Sequence, residues 1–155
     1  MNNNRIKAIS QQLDFAKTDT ICFFSPFPED LRKLQEKEWL PVINWVNSLG
    51  CEFKISQELV VREISSGTKD FLEKHLEAMS DEKLYAFCAV SGACRSVILA
   101  LAVSKGFLTP QKAFDLAMLE ESYQNKIWQE DEDALMSRLG RRQSVLDAAE
   151  KLKGI

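Results

Sequence analysis

The scarcity of chain breakers constrains the fold more than anything else in this sequence. Six glycines and four prolines occur in 155 residues, and they fall between segments of helical period. Loops must therefore be short, and no stretch reads as a linker. The periodicity predicts a mainly all-α fold, an orthogonal helical bundle of about five to seven helices. At most a minor β element is expected, near residues 20–24 and 51–64.

Individual segments follow from spacing and capping chemistry. Ile6, Ile9 and Leu13 predict a first helix over about Arg5 to Phe15. Thr20 to Phe24 is β-prone and runs into the breaker S-P-F-P. A helix should begin near Pro28, where Glu29 and Asp30 favour the positive dipole end, and bury Leu31, Leu34 and Trp39. Pro41 is expected to restart the chain as a second helix carrying Val42, Trp45, Val46 and Leu49, with Gly50 as its stop. Residues 51–64 fit either a strand or an extended connector. Further helices are predicted over Thr68 to Met79, Ser80 to about Gly92 and Ala93 to Lys105. Thr109-Pro110 is an N-cap followed by proline at the first helical position. The helix it starts should run to Trp128, and a last one should cover about Glu130 to Leu152, with Gly140 a point of interruption.

Charge and cysteine usage exclude several function classes. The net charge of −3 argues against nucleic acid as the main partner. The C-terminal bases Arg138, Arg141 and Arg142 have no interleaved aromatics. Residues 120–133 carry six acids against one base, Lys126, which reads first as a solvated face. Cys22, Cys51, Cys88 and Cys94 show neither metal-knuckle nor C-x-x-C spacing, and read as free, mostly core thiols. The longest apolar run, Val97 to Val103, is far too short to span a bilayer, so no direct membrane insertion is expected. The start MNNNRIKAIS has neither the apolar core of a signal peptide nor the arginine-rich character of a mitochondrial presequence.

Catalytic groups are equally sparse. His75, the only histidine, sits among Phe71, Leu72, Leu76 and Met79 on a helix surface beside the core. Ser91-Gly92-Ala93 lacks the second glycine and the lysine of a phosphate loop. No catalytic residue, metal site or cofactor is expected. Recognition is more legible. Glu120, Gln124 and Trp128 fall at intervals of four, so a carboxylate, an amide and an indole share one helix face. Trp128 is followed by Gln129 and then four consecutive acids. A large aromatic in polar surroundings is a frequent hot spot.

Four ordered motifs add to this. They are T-D-T-I-C-F-F at Thr18 to Phe24, and L-x-x-L-Q-x-x-x-W-x-P-V-x-x-W at Leu31 to Trp45. S-V-I-L-A-L-A-V follows, ahead of Gly106, and then L-E-E-x-Y-Q-x-x-x-W at Leu119 to Trp128. Together they resemble the ATP synthase F(1) α-subunit assembly chaperone family, of ATP-twelve type. The family pattern has W-D-P and W-G where this chain has Trp39-Leu40-Pro41 and Trp128-Gln129. The resemblance covers the family's helical C-terminal domain and implies residues 1–155 as a single helical domain, with the N-terminal β domain absent. It also implies a monomeric, non-enzymatic chaperone that binds the unassembled α subunit during assembly of the catalytic F(1) complex. Glu120, Glu121, Gln124 and Trp128 are then the expected client-binding residues. Asp19, Gln35, Trp39 and Trp45 match family motifs and are as readily structural. The expected location is the bacterial cytoplasm, or the mitochondrial matrix in a eukaryote. The alternative is a helical interaction adaptor with a different client.

Overall fold

A computed structural model describes residues 3–26, 28–57, 63–128, 140, 142–143 and 146–148. The predicted last helix over Glu130 to Leu152 lies mostly outside them. Seven helices are placed: α1 (Asn3–Ala16), α2 (Glu29–Ser48), α3 (Ser66–Glu77), α4 (Asp81–Cys94), α5 (Val97–Ser104), α6 (Pro110–Ala117) and α7 (Leu119–Trp128). Helix α5 is the centre of the bundle. Its residues Val97 to Val103 are all buried, and it packs against α1, α2, α4 and α6. A helix that is apolar all round must be enclosed, and in this one the enclosure is protein. Among the described residues no helix is long and apolar enough to cross a membrane.

The expected β element shrinks to a single parallel bridge between Phe23 and Ser56, with no strand among the described residues. Ser56 N donates to Cys22 O and Phe24 N to Ser56 O, each at 2.8 Å. Thr20–Cys22 forms a 3-10 turn instead of a strand, because the Asp19 carboxylate accepts from Ile21 N and tightens the backbone there.

Three helix boundaries differ from the periodic pattern. Pro41 does not restart the chain: α2 runs through it as one helix of 20 residues. Its buried face of Leu31, Gln35, Trp39, Val42, Ile43 and Val46 joins both halves to the core. Pro41 and Lys37 are exposed, so water can take the Lys37 carbonyl that the proline leaves unbonded. The α4–α5 junction falls at Arg95 and Ser96 rather than Gly92. Arg95 is left-handed at φ 55°, ψ 35°, the one positive-φ residue other than glycine among the described residues, and Ser96 Oγ caps Leu99 N at 3.0 Å.

The third difference is the break of the predicted Thr109-to-Trp128 helix at Met118. Buried Trp39 donates its indole N–H to Leu116 O at 2.8 Å. In an unbroken helix that carbonyl would serve residue 120. With the indole on it, α6 ends, and α7 restarts with Ser122 N on Met118 O at 2.7 Å.

Candidate functional site

The motif residues separate into buried anchors and surface groups. Asp19 is 1% exposed, with one carboxyl oxygen 3.3 Å from Ile21 N and the other 2.9 Å from Ile98 N. It therefore caps the 3-10 turn and the start of α5 together. Burial pushes its pKa up to about 6, against donors from Ser96, Ile98, Ile21 and Val97 that favour the carboxylate. Gln35, fully buried, accepts from Ser25 N at 2.7 Å and donates to Ser25 Oγ at 3.3 Å, which fixes the loop before α2. Trp39 meets Phe24 edge-on at 5.9 Å. These three positions do structural work at long sequence range. Trp45 is half-buried and stacks on exposed Phe107 at 4.6 Å between centroids.

Helix α7 carries the residues that the sequence marks as candidates for recognition. The break at Met118 puts Glu120 and Glu121 in its first turn, where carboxylates suit the helix dipole. Glu120 is exposed and Glu121 half-buried. The backbone holds Glu120, Gln124 and Trp128 on one helix, spanning about 12 Å along its axis. The side chains of Gln124 and Trp128 lie outside the described part of the structure.

The first turns of α7 also wall a cleft of about 280 Å³ shared with α2 and α6. Leu34, Leu116, Leu119 and Tyr123 give it apolar sides, and Lys112 Nζ pairs with Glu38 Oε2 at 3.2 Å. Leu34 and Lys112 did not stand out in the sequence as recognition residues. Leu34 was marked by its motif and spacing only as a residue to be buried, and Lys112 carried no signal of its own.

The chemistry available elsewhere is limited. His75 stacks on Phe71, meets Phe87 edge-on and lies 3.3 Å from Ser104 Oγ. Burial, with Lys105 and Lys83 nearby, pushes its pKa down to about 4. None of the four cysteines forms a disulfide; Cys22, Cys51 and Cys94 are buried and Cys88 is half-buried. Burial raises the Cys51 thiol to about 11 and also raises Cys88, so neither is a ready thiolate. Among the described residues no cluster of histidine, cysteine or acid groups could hold a metal.

An anchored helical body thus presents acids beside a small cleft. The comparisons show which proteins it is similar to. The model of the ATP12 chaperone protein family matches residues 1–47. Protein atp12, mitochondrial, of Schizosaccharomyces pombe is 30% identical over 132 residues, covering 81% of this chain and 45% of that protein. A putative chaperone from Agrobacterium tumefaciens superimposes with a TM-score of 0.85 at 29% identity, over 96% of this chain and 56% of the other. Atp12 from Paracoccus denitrificans shares the fold at a TM-score of 0.88 and 22% identity, over 95% of this chain and 64% of its own. The chain is thus similar in sequence and fold to ATP12 chaperones. It spans about half the length of the curated relative it matches.

Proposed function

We propose that this chain is an assembly chaperone for the catalytic F(1) head of the ATP synthase and that it binds the unassembled α subunit. The observation that carries this reading is the exposed Glu120 in the first turn of α7, beside the cleft of Leu34, Leu116 and Tyr123, in a chain similar to ATP12 chaperones. Glu120, Glu121, Gln124 and Trp128 form the client-facing row. A chaperone that must later release its client needs specificity without extreme affinity. A few placed polar groups on a small surface supply that better than a wide apolar face.

In this reading residues 1–155 act as one monomeric helical domain without catalysis, in the compartment where F(1) is assembled. That is the mitochondrial matrix in a eukaryote and the cytoplasm in a bacterium. Mixing the purified chain with newly refolded α subunit tests the proposal. Light scattering should fall as chaperone is added, and α subunit should co-elute with it in gel filtration. Unchanged scattering with no co-elution would overturn the reading.

A further inference from the structure

A second cleft, of about 280 Å³, opens where the ends of α1 and α4 meet. It is lined by Phe15, Thr18, Thr20, Ser91, Gly92 and Arg95 and shares no residue with the cleft beside α7. Ser91 is 1% exposed, and its Oγ has no hydrogen-bond partner among the described residues. A buried hydroxyl left unpaired is destabilising, so one at a cleft calls for an explanation. Arg95 stands at the rim, exposed, with no ion pair among the described residues. Lys17, next to Thr18 in the chain, is already engaged by Asp14 at 3.7 Å and Glu63 at 3.5 Å.

The end of a helix ordinarily repels anions, because its last carbonyls point outward. Here one of those carbonyls is doubly engaged: Ser91 O accepts from Ser96 N at 3.1 Å and also from Arg95 N. The next carbonyl beyond the helix, Arg95 O, accepts from Thr20 N at 3.2 Å. Among the residues lining the cleft, the guanidinium is the formal charge. Phe15, 42% exposed, forms an apolar wall beside it.

We propose that this cleft binds a carboxylate, with the Arg95 guanidinium as its cation and the hydroxyls of Ser91, Thr18 and Thr20 as neutral donors. A single planar guanidinium matches a carboxylate through two parallel hydrogen bonds. A dianion would find only one positive charge, with the carboxylate of Asp14 on the same end of α1. The Ser91 oxygen is closed to solvent as it stands, so a bound oxygen becomes its partner once the side chain turns to a rotamer that faces the cleft. The carboxylate belongs either to an acidic side chain of a bound protein or to a free small acid.

The test is a titration followed by NMR at the Arg95 side-chain Nε–Hε signal, with sodium propionate, N-acetylglutamate amide and inorganic phosphate, each against chloride at equal ionic strength. Propionate should give a saturable shift that chloride does not. Tighter binding of the glutamate amide assigns a protein side chain, and tighter binding of propionate assigns a free acid. Arg95→Gln, followed instead at the backbone amides of Gly92 and Thr20 in the same cleft, should lower the affinity about tenfold, as expected for a lost charge-assisted pair. Ser91→Ala should weaken binding about threefold while leaving the melting temperature unchanged or higher, since it removes an unpaired buried hydroxyl. A shift that follows chloride, binding unaltered in Arg95→Gln, or tighter saturation by phosphate would each overturn the proposal. None of these results bears on the capture of the α subunit, which is read at a different surface.

Discussion

The Trp39 region and the Glu120 region belong to the same pattern of family motifs, yet the fold treats them in opposite ways. Trp39 is enclosed and spends its one polar group on a carbonyl 77 residues away. Glu120 is exposed, on a helix that begins where it does because of that indole bond. One residue builds the platform and the other stands on it. A motif residue's role is thus read from where its hydrogen bonds go. Mutations should separate the two kinds by whether stability or binding responds.

The largest stability loss should come at Trp39. Trp39→Ala is expected to cost about 3–5 kcal/mol, the range for truncating a buried aromatic. Trp39→Phe keeps most of the volume but takes the buried indole donor from Leu116 O, at about 1–3 kcal/mol. Urea denaturation measures both. Hydrogen exchange in Trp39→Phe should also quicken at the α6–α7 junction before it does in α3, and uniform quickening would detach the indole bond from the helix break. Asp19→Ala comes next, at about 1–3 kcal/mol, because it leaves the amides of Ile21 and Ile98 without their acceptor. Asp19→Asn, which retains an acceptor oxygen, should recover part of that loss.

A smaller effect should appear in the dependence of stability on pH. Asp19 binds its proton more tightly when folded, with a pKa near 6 against an ordinary 3.8. Its stabilising contribution is therefore full below about pH 4 and is lost as pH rises through 6. His75 has the opposite sign, with a pKa near 4 against 6.5. Its contribution is full above about pH 6.5 and is lost as pH falls towards 4. The two slopes oppose one another between about pH 4 and 6, so the wild-type profile there should be shallow. Asp19→Asn should then lose stability on acidification more steeply than wild type, and His75→Gln less steeply. Denaturation midpoints at pH 6.5 and 4.5 decide it, and parallel profiles for all three proteins would show that these groups do not govern the window.

Glu120→Lys should be the mildest in stability, within about 1 kcal/mol, since it only reverses a charge in an exposed first turn. Its effect on capture of the α subunit should be the largest of all. If helical circular dichroism and capture fell together, Glu120 would belong with Trp39 as part of the platform.

How much of this the sequence revealed depends on the range of the interactions. Thr109-Pro110 and Ser80 act as helix starts through contacts with Lys112 N and Lys83 N, three residues away, and local chemistry of that kind is legible. The apolar spacing of Ile9, Leu72 and Leu76 likewise marks faces that are buried. The boundaries at Pro41 and Met118 were not legible, because packing across the bundle decides the first and the Trp39 indole the second. For Asp19, the T-D-T motif marked the residue but not its role, since Ile98 lies 79 positions on. At α7 the polar stripe was visible in the spacing of Glu120, Gln124 and Trp128. The adjoining cleft was not, because Leu34 and Lys112 reach it from different helices.

The enclosed helix α5 also has a consequence for synthesis. Its apolar run leaves the ribosome after α1, α2 and α4, three of the four helices that cover it. The receptacle is therefore made before the segment that must fill it, and only α6 has still to emerge. Reordering the gene to place α5 first would keep every native contact available but expose that run through most of translation, favouring aggregation of the nascent chain over folding.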